Sequence, residues 1–123
     1  MGSWNPILSG SQNNQAQFFY HVDRLKNILE VNALNALPLK RHIIVSLDNL
    51  ANQEECTEIS IYAVNEMQIH LRKLGFTVKS AVADDFSEIN HIDPEDANKD
   101  LERGVCLEWD ILKMSLPREK IRP

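Results

Sequence analysis

The chain has 123 residues with a net charge of −5, and 43% of its residues are hydrophobic while 25% are charged. This length allows one domain around one core, and the balanced composition excludes an intrinsically disordered chain. The net negative charge disfavours broad binding to nucleic-acid phosphates. The longest apolar runs are too short to span a bilayer, and no secretory hydrophobic region is found, so we expect neither membrane insertion nor secretion by a signal peptide.

Residues 1–13 are rich in Gly, Ser, Asn and Gln. Such a polar segment cannot bury enough apolar surface to fold alone, so an extended N-terminal arm is predicted. Its apolar residues Trp4, Ile7 and Leu8 then have two alternatives, both of which stay open here. They contact a partner protein, or they fold back onto their own domain.

Residues 14–35 carry apolar side chains spaced three and four positions apart, with polar residues between them. This spacing places the apolar side chains on one face of a helix. The pattern predicts a long amphipathic N-terminal helix that ends before Pro38. The apolar positions are Phe18, Val22, Leu25, Ile28, Leu29 and Ala33.

The next two segments are predicted as a strand and a helix. The β-branched run at residues 42–47 is typical of a strand that is covered on both faces. Residues 59–64 alternate like a strand, whereas Ala63, Met67, Leu71 and Leu74 recur at helical spacing. A helix from about residue 57 or 60 is favoured, with the strand alternative left open, and Gly75 is expected to end the helix.

Two strands are predicted at residues 75–82 and 105–111, because apolar residues alternate with polar ones in both. Combining these faces with the helical faces gives a predicted core that includes Trp109. The core is predicted to contain Phe18, Val22, Leu25, Ile44, Val64, Met67, Leu71, Phe76, Val78, Leu107 and Trp109.

Residues 83–104 carry eight acidic and two basic residues and include Pro94, which predicts a long acidic loop. Asp96, Asn98 and Asp100 begin like a calcium-binding loop, but Leu101 and Leu107 occupy its sixth and twelfth positions. A solvated loop is favoured, and binding of a divalent cation stays open. No metal site and no cofactor are assigned.

No catalytic motif or phosphate-binding glycine loop is found in the sequence, so the chain is predicted not to be an enzyme. Cys56 and Cys106 lie fifty residues apart without metal-site spacing, which favours two buried free thiols. No catalytic residue is therefore assigned.

Residues 113–123 are predicted to be a basic C-terminal tail, since they carry a net charge of +3. A basic segment on an acidic protein favours an acidic neighbouring surface. The residues predicted to contact partner proteins are therefore Trp4, Ile7 and Leu8 in the arm and Leu116, Arg118, Lys120 and Arg122 in the tail.

The order of these segments resembles the small α+β structural and accessory proteins of tailed bacteriophages. The resemblance covers residues 14–112 and rests on the long first helix, the sequence Leu71-Arg72-Lys73-Leu74-Gly75-Phe76-Thr77-Val78, the acidic insertion and the strand Leu107-Glu108-Trp109-Asp110. It implies no shared catalytic residues. It implies a protein of the virion or the host cytoplasm that assembles with other chains.

The predicted fold is α+β: an N-terminal helix followed by β-α-β-β, with both helices on one face of a small mixed three-stranded sheet. Residues 14–112 form the single domain. The predicted function is that of a non-enzymatic structural or interaction protein of a virion, since the open edges of a small sheet favour assembly with other chains. The alternative is a module that binds a small molecule or a nucleotide derivative, as an accessory or anti-defence protein of a phage.

Overall fold

The computed structural model describes residues 4–7, 18–32 and 41–118, which form seven strands and three helices. In chain order these are β1 (Asn5–Ile7), β2 (Phe18–Asp23), β3 (Ile28–Asn32), α1 (Arg41–Gln53), β4 (Glu58–Ala63), α2 (Glu66–Lys73), β5 (Thr77–Val82), β6 (Glu88–Ile89), α3 (Pro94–Glu102) and β7 (Ile111–Pro117). The α+β class is as predicted, but the three-stranded sheet is wrong.

All seven described strands belong to one mixed sheet in the order β1-β2-β3-β4-β7-β5-β6. Strands β3 and β4 are parallel, and α1 lies in the connection between them. The other neighbouring pairs are antiparallel. Strand β7, the last in the sequence, therefore lies between β4 and β5.

The core lies between the three helices and one face of the sheet. Leu47 of α1, Met67 and Leu71 of α2, and Leu101 of α3 belong to one buried cluster with the strands. The strands contribute alternate residues, since successive side chains of a strand point to opposite faces. These are Leu29, Val31, Ile59, Ile61, Ala63, Leu112, Met114 and Leu116.

The predicted N-terminal helix is wrong, because residues 18–32 form the antiparallel hairpin β2–β3. Residues four apart, such as Phe18 and Val22, share a face both in a helix and in a strand, so that spacing does not distinguish the two. The turn decides. The carboxylate of Asp23 accepts hydrogen bonds from the N–H groups of Leu25 (3.0 Å) and Lys26 (3.2 Å), and Asn27 has φ 57°. Leu25 is consequently 97% exposed at the tip.

The predicted strand at residues 42–47 is also wrong, because these residues belong to helix α1. Ile44, Leu47 and Ala51 contribute to the core at helical spacing, whereas Val45 is half exposed. Residues 58–63, where a helix was favoured, form the central strand β4, and Asn65 with φ 53° separates it from α2. Gly75 follows α2 with φ 102°, which confirms its predicted role at the helix end.

Strand β5 is confirmed, but a β-bulge between Val78 and Ser80 changes which residues face the core. Asn98 of α3 supports this irregular part, since its side-chain oxygen accepts a 2.8 Å hydrogen bond from the N–H of Val78. The predicted acidic loop is wrong over residues 94–102, which form α3. Its N-cap is Asp93, whose carboxylate accepts from the N–H of Glu95.

The predicted strand at residues 105–111 is wrong, since the strand begins only at Ile111 and continues into the segment expected to be the tail. Residues 105–110 form a loop that the buried side chain of Gln68 fixes. Its amide accepts from the N–H of Leu107 (2.8 Å) and donates to the carbonyl of Asp110 (2.9 Å). Trp109, predicted to be a core residue, lies in this loop and is 95% exposed.

Candidate functional site

The face of the sheet opposite the helices carries polar side chains, and we call it the helix-free face, with reference to the described residues alone. The strand register brings residues distant in sequence together here. His21 of β2 pairs with Glu30 of β3, and Tyr62 of β4 pairs with Lys113 of β7. Each follows or precedes a core residue, so strand alternation alone places these side chains on the helix-free face.

Glu30 lies at the centre of this polar cluster and is only 8% exposed. The Nε2 of His21 is 2.7 Å from one carboxylate oxygen. The hydroxyl of Tyr62 donates a 3.1 Å hydrogen bond to the other oxygen, and the Nζ of Lys113 lies 3.5 Å from that same oxygen. A buried carboxylate needs such partners, because leaving it unpaired costs several kcal/mol.

Tyr62 keeps its proton in this environment. Burial raises the pKa of the Tyr62 hydroxyl well above its ordinary value, and the negative charge of Glu30 with the hydrogen bond to it raises that pKa further. The carboxylates of Glu88 and Asp23 act in the same direction. The hydroxyl is therefore a hydrogen-bond donor to Glu30 and not a tyrosinate.

A second polar pair lies beside Glu30 on the same face. Ser60 of β4 is directly opposite Ser115 of β7, and their hydroxyl oxygens are 2.6 Å apart. Both residues are buried. One hydroxyl donates to the other, so the centre of the helix-free face combines burial with polar contacts between side chains.

Aromatic side chains from two edges of the sheet cover part of this polar cluster. The ring of Trp4 lies 4.5 Å from that of His21 and 5.4 Å from that of Phe86, measured between centroids. Phe86 in turn lies 4.6 Å from Tyr62. We call Trp4, Tyr62 and Phe86 the aromatic wall. The tilted and edge-on ring contacts are the geometries that aromatic pairs favour.

Phe86 reaches the wall from an unusual backbone conformation. It has φ 65° in the turn between β5 and β6, a region that costs a bulky residue free energy. Asp85 supports the turn by accepting hydrogen bonds from both the hydroxyl and the N–H of Ser87, and these bonds lower the pKa of its carboxyl. Backbone strain of this kind is commonly found at functional sites.

A pocket of about 310 Å³ opens between the aromatic wall and the acidic residues around it. This volume is at the lower end of the range of pockets that bind small molecules. Both apolar and polar side chains face it. They are Trp4, His21, Asp23, Lys26, Glu30, Tyr62, Val82, Asp85, Phe86, Glu88 and Lys113.

The described residues contain two thiols and no cluster of metal-binding side chains. Within residues 4–7, 18–32 and 41–118, no group of three or more His, Cys, Asp or Glu residues is arranged to bind a metal ion. Cys56 and Cys106 are free. Cys56 is buried in the core, where burial raises the pKa of its thiol, and Cys106 is partly exposed.

No helix in the described part of the chain is both long and apolar enough to cross a membrane.

The residues predicted to bind partners have different positions. Trp4 contacts its own domain in the aromatic wall. Leu116 is buried in the core at 3% exposure, so its side chain has no surface to offer a partner. Arg118 donates to the carbonyl of Cys56 (2.8 Å) and to the side-chain oxygen of Asn52 (2.9 Å). Leu8, Lys120 and Arg122 lie outside the described residues, as does the side chain of Ile7.

The central site residues were missed from sequence. His21 and Glu30 were assigned to the predicted first helix, and Lys113 to the predicted tail. One signal was present, since Glu30 lies between Leu29 and Val31, and an acidic residue between two apolar ones is typical of alternation in a strand. No signal in one sequence pairs Glu30 with Tyr62, because their proximity depends on the strand order.

Comparisons with known proteins found no similarity: no family model, no curated protein and no solved structure matches the chain at a significant level. The resemblance to small bacteriophage proteins, and the location in a virion or host cytoplasm that it implies, therefore stay predictions.

Proposed function

We propose that this protein is a small-molecule-binding module whose site is the pocket on the helix-free face. The observation that carries the proposal is Glu30, a buried carboxylate with three side-chain partners that lines a pocket with an aromatic wall. Burying this polar cluster has a free-energy cost that an apolar face of the same sheet would avoid. A ligand site gives a reason for that cost.

The proposal is binding without catalysis. Both carboxylate oxygens of Glu30 already have protein partners, so this group holds the side chains around it in place. The raised pKa of Tyr62 also makes this hydroxyl a weak acid and a weak nucleophile. These groups can orient a ligand, because they are fixed by one another on rigid strands.

A thermal-shift screen of a metabolite library against the purified protein tests the proposal. Compounds that bind the native state raise its melting temperature. The two tryptophans supply matched variants: Trp4→Ala removes part of the aromatic wall, whereas Trp109→Ala removes an exposed ring outside the pocket. Stabilisation that is lost in Trp4→Ala and retained in Trp109→Ala supports the proposal. Stabilisation that depends on Trp109 and not on Trp4 contradicts it.

The predicted role as a non-enzymatic interaction protein of a virion is the second candidate, and a different observation favours it. Trp109 is 95% exposed and Val105 is 54% exposed in the loop that Gln68 fixes. Large aromatic residues on fixed loops are common in protein interfaces. Sedimentation across a range of concentrations tests for self-association, and Trp109→Ala should abolish it if this loop is the interface.

A further inference from the structure

The charge of the pocket is asymmetric. Four acidic residues line it, Asp23, Glu30, Asp85 and Glu88, against the two lysines Lys26 and Lys113. The imidazole of His21 also lines it and lies 2.7 Å from Glu30. Because Lys113 lies 3.5 Å from Glu30, these two charges are already paired. Asp23, Asp85 and Glu88 then line the pocket with Lys26. Asp23 and Asp85 accept hydrogen bonds within their own turns but keep their negative charge, so an excess of negative charge is left for a ligand to neutralise.

The acidic residues that supply this excess negative charge come from two sides of the pocket. Asp23 belongs to β2, whereas Asp85 and Glu88 come from the turn and strand on the other side of the pocket. Acidic residues from two sides of the pocket thus line a common space with low-dielectric aromatic surfaces. Such an arrangement concentrates a negative potential inside the pocket. The raised pKa of Tyr62, to which Glu88 and Asp23 contribute, is consistent with this potential.

The aromatic wall favours the same sign of ligand charge. The faces of Trp and Tyr rings carry partial negative charge, so they attract ammonium and guanidinium groups within about 6 Å. Trp4 and Tyr62 both face the pocket beside the acidic residues. Their apolar surface can also contact a flat apolar part of the same ligand. An anionic ligand would instead meet more carboxylates than lysines, together with the negative ring faces.

We infer that the ligand of this pocket is a small organic cation, in which an ammonium or guanidinium group is attached to a flat apolar group. The inference rests on the proposed binding function and specifies its ligand class. The cationic group would lie toward Glu88 and Asp85, and the apolar group would lie against the aromatic wall.

Calorimetric titration of the full chain with three probes of similar shape tests the inference at neutral pH and low salt. The probes are phenethylammonium, phenethyl alcohol and hydrocinnamate, which are cationic, neutral and anionic. We expect the ammonium compound to bind at least tenfold more tightly than either of the others. Its affinity should fall as salt is added, because screening weakens the attraction between charges.

Matched variants assign this preference to the pocket. Glu88→Gln removes one carboxylate that faces the pocket, and Glu108→Gln makes the same change at an exposed residue of the 105–110 loop. The first change should weaken binding of phenethylammonium at least threefold, and the second should leave it unchanged. Both residues are exposed, so neither variant is expected to unfold the protein.

The possible failures are distinguishable. Equal affinity for the three probes, with loss of binding in Trp4→Ala, would overturn the cation preference and leave the proposed binding function intact. Tighter binding of hydrocinnamate would also overturn the inference. If none of the three probes binds while the thermal-shift screen finds other compounds that depend on Trp4, the inference fails and the proposed function stands. If neither experiment finds a ligand, both fail.

Discussion

The two faces of the sheet are made from alternate residues of the same strands, yet they differ in chemistry. In β4, Ile61 packs under the helices whereas the next residue, Tyr62, bonds to Glu30 on the other side. In β7, Met114 belongs to the core and the preceding residue, Lys113, lies beside Glu30. One face thus supplies an apolar core, and the other supplies a polar cluster with a pocket.

This difference separates stability from function. Burial of apolar surface contributes about 25 cal/mol per Å² to folding, whereas a paired hydrogen bond contributes a net of only about 0.5–1.5 kcal/mol. The core face therefore stabilises the fold. The polar face stabilises it little, and the proposed binding site gives a reason for its composition. Substitutions at neighbouring positions in one strand can test this division.

The largest effect is expected for Ile61→Ala, which leaves a cavity in the core. It should lower the free energy of unfolding by about 2–5 kcal/mol, as measured by urea denaturation. The folded fraction should bind phenethylammonium as the wild type does. The matched change at the next residue, Tyr62→Phe, should cost less, about 1.5–3 kcal/mol, because it removes one hydrogen bond to a charged group and leaves no cavity. Equal losses at the two positions would contradict the division between the faces.

A smaller effect is expected for the serine pair on the helix-free face. Ser60→Ala or Ser115→Ala alone should cost about 1–2 kcal/mol, because each leaves a buried hydroxyl without its partner. The double variant should cost less than the sum of the two, since no unpaired hydroxyl remains. Urea denaturation of the four proteins forms the cycle. Additive losses would show that the two hydroxyls do not interact.

Alkaline pH should destabilise the protein through Tyr62. Its pKa is raised above the ordinary 10.0 in the folded state, so the folded protein retains a proton that the unfolded chain loses. The stabilising contribution is complete below pH 10 and is lost as the pH rises further, at no more than about 1.4 kcal/mol per pH unit for one proton. Unfolding of wild type and Tyr62→Phe across this range measures it. Identical pH dependence in both proteins would refute the assignment.

The smallest effect is expected for Trp109→Ala. An exposed side chain away from special structural features changes stability by no more than about 0.5 kcal/mol. Thermal and urea unfolding should both be close to wild type. A loss of several kcal/mol would instead support the core position that the sequence pattern predicted for this residue.

Part of the fold could be predicted from the sequence, namely the α+β class, strand β5 and the turn at Gly75. Those features depend on local signals, such as strand alternation and the need for positive φ after a helix. The hairpin β2–β3 could not be predicted with the same rules, because Phe18 and Val22 satisfy both periods. Only the turn chemistry of Asp23 and Asn27 distinguishes the two structures, and hydrophobic periodicity does not detect it.

The candidate site was harder to predict than the fold. Its residues lie on strands that become neighbours only when β7 enters the sheet between β4 and β5. Lys113 was assigned to a basic tail because its charge was counted with that of its neighbours, although Leu112, Met114 and Leu116 alternate around it. Long-range strand order is not encoded in local periodicity, so the contact between Lys113 and Glu30 could not be predicted from the sequence.

The central claim is that ligands bind on the helix-free face, and the two tryptophans of this chain allow a direct test. Proton–nitrogen NMR resolves one indole N–H signal for each, and Trp4→Phe and Trp109→Phe assign them. On titration with phenethylammonium, the signal of Trp4 should shift progressively to saturation while that of Trp109 stays in place. A shift of the Trp109 signal alone, or no shift of either signal with a ligand shown to bind by calorimetry, would contradict the claim.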